Sequence, residues 1–273
     1  MTDLNIPPEL RGILARHHRV AVAYSGGTDS SYLLAACADV LGAGHVLALT
    51  ADSPLMPRAE LAAARALAHD LGVRHVVLPH DDLAVEQVVA NPPDRCYHCK
   101  FTRFDRLIEL ARAEGLEPLL HGENADDAAD YRPGSRAAVE LGVQAPLRDA
   151  GLTKAQIRSL SRARGLPTWD RPADACLASR FPYGTRLTRE GLARVEAAEE
   201  ALRELWRVRQ VRVRDHLPVA RIELPAADIA RVAHPGPRQA AVDALRALGY
   251  HYVTLDLAGY RMGNLNVGLT EQA

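Results

Sequence analysis

Two kinds of segment alternate through the first half of the chain. Val20–Tyr24, Val46–Thr50, His75–Leu78 and Pro118–His121 are short continuous apolar runs, whereas Ser30–Leu41, Arg58–Leu71 and Lys100–Glu114 repeat at helical period, several of them closed by Gly. A strand that is apolar at successive positions is buried on both faces, and intervening helices supply the cover, so this pattern predicts an α/β fold with a parallel sheet between helical layers. Thr153 reads as the N-cap of a further helix, with Gly165 past its end. Residues 166–188, "LPTWDRPADACLASRFPYGTRLT", hold Pro167, Pro172, Pro182 and Gly184 without a sustained period, as a linker or active-site loop would. Beyond them come a long amphipathic helix, Arg189 to Trp206, the alternating segments "QVRVRDH" and "VARIEL", helical stretches around Ala226–Ala233 and Arg238–Leu248, and "YHYVTLDL". Strands mixed with helices on this scale predict a small α+β domain. The expected boundary divides residues 1–175 from 176–273.

Charge narrows the function. Lys plus Arg number 33 against 34 Asp plus Glu in 273 residues, so no global basic field calls for a nucleic-acid partner, and small-molecule chemistry is favoured. No apolar run reaches the length of about 18 residues that a membrane span needs. The start, "MTDLNIPPELRG", lacks the basic-then-apolar pattern of an export signal, so a cytoplasmic protein without a membrane partner is expected.

"AVAYSGGTDSSYLLAACA", residues 21–38, turns from strand to helix through Ser25, Gly26, Gly27, Thr28, Asp29, Ser30 and Ser31. Glycines at such a junction let the backbone approach an anion, while the helix N-terminus aims unpaired N–H groups at it. The spacing fits neither G-x-x-x-x-G-K-[ST] nor G-x-G-x-x-G. Without a lysine to follow a γ-phosphate, the bend suits gripping the β,γ-pyrophosphate as a leaving group during attack at the α-phosphorus, which yields an adenylate. The full S-G-G-x-D-S-S after an apolar strand resembles the PP-loop of the N-type ATP pyrophosphatases. That resemblance implies ATP bound by Ser25, Gly26, Gly27, Thr28, Asp29 and Ser30, with Mg²⁺ held near Asp29. "LTADSP", with Ala51 and Ser53, stands where sheet topology puts adenosine, at the carboxyl edge. "HGENADDAADYRPG" follows another short strand with Glu123, Asn124, Asp126, Asp127 and Asp130; an acidic first turn is good helix-dipole chemistry, and Asn124 with Asp127 also suits Mg²⁺ and ATP.

Of four cysteines, Cys37 lies on an apolar helix face with Leu33, Leu34 and Leu41 and reads as core. Cys96 and Cys99 form a C-x-x-C at the mouth of a predicted helix, where the dipole favours thiolates, and Cys176 lies in the irregular loop. The spacing alone leaves three readings open: a redox pair, a zinc site completed by His98 and Cys176, and a 4Fe-4S cluster on three thiolates with one open iron.

"SGGTDSS", "NPPDRCYHCK", "NADDAADYRPG", "LTKAQIRSLSRARGLPTWDRPADACLASRFPYGT" and "LDLAGYR" together resemble the LarE family of ATP-dependent sulfur transferases, over most of the chain. The resemblance implies adenylation of the ring carboxylates of a pyridinium biscarboxylic acid mononucleotide and their conversion to thiocarboxylates, in nickel-pincer nucleotide cofactor biosynthesis. It implies either Cys176 as a sacrificial sulfur donor or a 4Fe-4S cluster on Cys96, Cys99 and Cys176 that delivers sulfide. With all three cysteines present, this sequence resembles the cluster type. The resemblance further implies Asp29, Cys176, Arg180 and Glu200 as catalytic, with Arg186 a second candidate for charge neutralisation. It gives Arg212, Arg214 and Arg261 the substrate phosphate, although "VRVRD" taken alone reads as a solvated strand face. Its implied partners are the mononucleotide, a sulfide or sulfur donor, a downstream nickel-insertion enzyme and further copies of the chain, as a hexamer. A tRNA thiolase of the same superfamily and a nucleotide-sensing or iron-storage module without turnover are the rival readings.

Overall fold

A computed structural model describes residues 6–129, 133–171, 176–261 and Asn264. The chain divides into two compact units, Met1–Val88 with Pro93–Asp174 and Val89–Pro92 with Ala175–Ala273.

In the larger unit, β1 (Val20–Ala23), β2 (Val46–Asp52), β3 (Arg74–Pro79) and β4 (Leu119–His121) form a four-stranded sheet in the order β3-β2-β1-β4, parallel throughout. Its helices are α1 (Pro8–Leu14), α2 (Thr28–Leu41), α3 (Arg58–Asp70), α4 (Glu86–Val89), which runs to the unit boundary, α5 (Arg95–Ala113), α6 (Pro133–Glu140), α7 (Pro146–Asp149) and α8 (Lys154–Ala163). Because strand side chains alternate between faces, consecutive apolar residues feed two cores. Val20, Val22, Val46 and Ala48 pack with Leu33, Leu34 and Leu67 on one face, while Ala21, Leu47 and Leu49 meet Phe104, Leu107 and Ala111 of α5 on the other. This double cover explains why the runs are apolar without alternation. The cis Glu117–Pro118 bond leads into β4.

Parallel strands send all their C-terminal loops to one edge. Gly26, with φ +77°, turns the chain there, and a Cβ on it would stand 2.8 Å from Ala64 Cβ. A Cβ on Gly122, just after β4, would stand 2.7 Å from the Ser30 nitrogen, so only glycine lets the β4 loop lie against the start of α2.

The smaller unit is built on α9 (Arg189–Trp206), β5 (Arg212–His216), β6 (Val219–Glu223), α10 (Ala226–Val232), α11 (Pro235–Ala247) and β7 (Tyr252–Leu255). β5 and β6 pair antiparallel and β6 and β7 parallel. Its core joins Ala198, Leu202 and Trp206 of α9 to Val213, Ala220, Ile222 and Leu245. Among the described residues, no helix is long and apolar enough to cross a membrane.

Candidate active site

At the sheet's carboxyl edge, Gly27 caps α2 with extended backbone and no side chain caps the helix, which leaves its N-terminus suited to an anion. Ser25 Oγ lies 3.0 Å from Ser30 Oγ and accepts from the Gly27 N–H at 3.4 Å. The Thr28 hydroxyl is buried and donates to the Thr168 carbonyl at 2.8 Å, which braces the loop. Arg171 Nη1 donates to the Gly26 carbonyl at 3.3 Å.

The bend contains no lysine, yet the fold brings one. Lys154 Nζ sits 2.7 and 2.8 Å from the two Asp29 carboxylate oxygens, across 125 positions of sequence. Its place is fixed locally: Thr153 and Gln156 form a reciprocal capping box, and the Lys154 N–H donates to Asp126 at 2.8 Å. Asn124 Nδ2 donates to Asp29 at 3.1 Å, while its Oδ1 accepts from the Asp126 and Asp127 N–H groups at 3.0 and 3.3 Å. Asp127 accepts from the Asn124 N–H at 3.2 Å, so this residue, expected beside Mg²⁺, also closes its own turn. Asp130 lies outside the described residues, as do residues 172–175 of the expected loop.

Ala51 is half-buried near the end of β2, paired in register with Leu78. Ser53, one residue beyond the strand, is buried and hydrogen-bonded to Asp82.

Cys96 and Cys99 stand in the opening turns of α5 outside any disulfide, the first exposed and the second buried. The helix starts at Arg95, five residues ahead of the expected Lys100. Arg95 Nη2 lies 3.8 Å from Cys96 Sγ, and His98 Nε2 lies 3.4 Å from Asp94. Among the described residues of either unit, no three of His, Cys, Asp and Glu converge as a metal-holding group.

In the smaller unit, Cys176 is a half-buried free thiol at the head of a short turn, Leu177–Arg180. Its carbonyl accepts from the Ser179 N–H at 2.9 Å and from Arg180 Nη1 at 3.3 Å. Arg180 is 1 % exposed and meets Glu199 in two parallel bonds of 2.7 and 2.9 Å. Glu199 also accepts from Arg203 at 2.8 Å and from the Val213 N–H at 3.1 Å, with Arg212 at 3.9 Å. Burial alone would raise the Glu199 carboxyl, but the charges and bonds of Arg180, Arg212 and Arg203 hold it below the usual carboxylate range. The expected Glu200 is exposed; the buried partner of Arg180 is one residue earlier, Glu199.

Arg212 and Arg214 are both buried within this unit, so the solvated-face reading fails. Arg214 binds Glu223 at 2.7 Å and the Ser179 carbonyl at 2.6 Å, and its Nε is buried without a hydrogen-bond partner. Arg212 lies over the Tyr260 ring at 5.6 Å; neighbouring Arg261 is exposed, and so is Arg186. Arg221 bridges Glu223 and Asp256. This network sets Arg180, Arg203, Arg212, Arg214 and Arg221 against Glu199, Glu223 and Asp256, an excess of positive charge that suits an anion.

Lys154, Arg171, Asp82 and Glu199 escaped sequence reasoning. Thr153 read as an N-cap put Lys154 at a helix start, but nothing local pointed it at Asp29.

A parallel sheet with an uncapped glycine bend and an acidic residue at its carboxyl edge defines a PP-loop α/β enzyme, and comparison with known proteins makes that enzyme an ATP-dependent sulfur transferase. A tRNA-specific 2-thiouridylase of Rickettsia rickettsii is 27% identical over 195 residues, 58% of this chain and 53% of that one. An uncharacterised protein of Synechocystis is 43% identical over 262 residues, 96% of this chain and 97% of that one. The pyridinium-3,5-bisthiocarboxylic acid mononucleotide synthase of Lactiplantibacillus plantarum is 40% identical over 253 residues, 93% of this chain and 91% of that one. No protein-family model matches. The chain belongs to the LarE family, that of the pyridinium-3,5-bisthiocarboxylic acid mononucleotide synthases.

Proposed function

We propose that this enzyme adenylates the ring carboxylates of a pyridinium biscarboxylic acid mononucleotide and converts them to thiocarboxylates for a nickel-pincer nucleotide cofactor. The observation that carries the reading is the meeting of the uncapped glycine bend with Asp29, Lys154 and Asn124 at one sheet edge. An ionised carboxylate resists nucleophiles, so its oxygen must first become part of a leaving group. In the first step a substrate carboxylate oxygen bonds to the α-phosphorus of ATP as the bond to the β,γ-pyrophosphate breaks. The α2 N-terminus receives that pyrophosphate, and Lys154 and Arg171 supply the cationic charge that the bend lacks.

Asp29 offers carboxylate oxygens, as a hard cation requires, and is the residue that would hold Mg²⁺, with Asn124 Nδ2 orienting it; the ion would neutralise triphosphate charge. In the second step a sulfur nucleophile bonds to the acyl carbon and AMP leaves with the former carboxylate oxygen. The substrate phosphate belongs with Arg212, Arg214 and Arg261, and the Glu199–Arg180 pair holds the Cys176 backbone. Cys96, Cys99 and Cys176 are outside any disulfide and are sulfur donors of the type that a 4Fe-4S cluster takes; such a cluster would supply an open iron for sulfide.

Cys176→Ala tests the assignment. Pyrophosphate release from ATP and the mononucleotide should persist while thiocarboxylate formation stops; loss of both steps would refute the role. Mass spectrometry of the polypeptide after turnover decides the sulfur source. An intact Cys176 supports cluster delivery, and loss of the mass of H₂S at that residue refutes it.

A further inference from the structure

The loop after β2 is anchored by a buried ion pair to which the chemistry above gives no part. Asp82 is wholly buried, and Arg103 reaches it from α5 with Nε 3.2 and 3.1 Å from the two carboxylate oxygens and Nη2 2.5 Å from Oδ2. The Ser53 hydroxyl donates to the same Oδ2, and it accepts from Arg103 Nη2 at 3.0 Å and from the Leu55 N–H at 3.1 Å. A hydroxyl offers one proton and two lone pairs, so Ser53 Oγ has no capacity left for a ligand. His80 Nε2 stands 3.3 Å from Asp82 Oδ1. On the outer side, Arg58 Nη2 donates to the Ser53 and Met56 carbonyls at 2.6 and 2.7 Å. Burial alone would raise the Asp82 carboxyl, but the adjacent His80 ring, the charge and bonds of Arg103 and the Ser53 hydroxyl hold it far below the ordinary range.

We propose that Asp82 and Arg103 are positioning residues for the adenosine half of ATP: they set the Ser53–Met56 loop, whose backbone, and not the Ser53 hydroxyl, receives the nucleoside. The inference rests on the ATP reading above. Arg103 lies four residues after Cys99 on α5, so one buried ion pair fixes both the nucleotide loop and the helix that carries the C-x-x-C. Shifting a held group by about 1 Å can cost on the order of 100-fold, which is enough for a remote pair to govern nucleotide affinity.

The test is calorimetric titration of wild-type and Asp82→Asn protein with Mg·ATP, AMP and magnesium pyrophosphate, beside steady-state pyrophosphate release. Asp82→Asn should lose on the order of 10–100-fold in affinity for ATP and AMP. Pyrophosphate affinity should hold, and KM for ATP should rise with kcat little changed. Equal losses for AMP and pyrophosphate would mark general loosening and overturn the inference, as would unchanged AMP affinity. Should Asp82→Asn fail to fold, Arg103→Lys carries the same test, because an ammonium keeps the charge but cannot span Asp82 and Ser53 together. Wild-type protein that binds neither ATP nor AMP overturns the underlying reading as well; wild-type binding with an unaltered variant overturns this inference alone.

Discussion

Glu199→Gln isolates the charge at the centre of the arginine network, because the amide keeps the shape and an oxygen for the Val213 N–H. Glu199 accepts three bonds from Arg180 and Arg203, and charge-assisted bonds contribute about 1.5–3 kcal/mol each, so simple addition gives about 4.5–9 kcal/mol. The sum overshoots, since the amide oxygen still accepts one bond and the three share one charge. Removing one partner of a buried ion pair costs about 3–5 kcal/mol, mainly because the other charge is left buried and unpaired, and Arg180 is 1 % exposed. The chain has two tryptophans, Trp169 and Trp206, so in a Trp169→Phe background urea unfolding followed by Trp206 fluorescence reports the smaller unit. For a slope of about 2 kcal/mol/M, the midpoint should fall by about 1.5–2.5 M. Exposed Glu200→Gln, one residue on, should stay within about 0.5 kcal/mol of the parent. Equal midpoints for the two variants would refute the claim that Glu199 organises the network.

Lys154→Met should weaken pyrophosphate and ATP binding by on the order of tenfold or more while AMP affinity holds, since a lost cation at the β,γ-phosphates leaves the nucleoside untouched; parallel loss for AMP would return Lys154 to a purely structural ion pair. Asp82 and Glu199, both with lowered folded-state values, contribute stability that is present above the unfolded carboxylate pKa of about 4 and is lost as pH falls through their folded values. Urea midpoints should therefore drop below about pH 4 in the parent and drop less steeply in Asp82→Asn; identical slopes would remove Asp82 from the acid response.

The sheet was legible because burial on two faces writes itself as unbroken apolar runs, and Arg189–Trp206 because its stripe is long and Thr188 accepts from the Gly191 N–H at its head. The start of α5 was not. Its opening turn, Arg-Cys-Tyr-His-Cys-Lys, has no apolar stripe, and only the proline pair Pro92 and Pro93 marks how early the helix can begin. Arg212 and Arg214 read as a wet face since period two places them together, while the carboxylates that bury them, Glu199 on a helix and Glu223 on the next strand, are named by no local pattern. The glycine bend was visible as a motif; the partner of its Thr28 hydroxyl was not, because Thr168 lies far along the chain.

The lysine missing from the bend was a sequence fact with a three-dimensional answer. An in-loop lysine moves with the phosphates it follows, whereas the Lys154 backbone is held by a capping box and by Asp126, and its ammonium pairs with Asp29. If Asp29 turns to a cation that arrives with ATP, the Lys154 ammonium loses its partner beside the triphosphate, where its charge favours the departing pyrophosphate. The ion pair leaves neither charge without a counterpart, and on the proposed reaction nucleotide binding would separate the two. On that argument Asp29→Asn should lower pyrophosphate release by more than Lys154→Met, and the double variant should be less impaired than the product of the two single effects. Multiplicative losses would mean that the two residues act independently and that their contact is incidental.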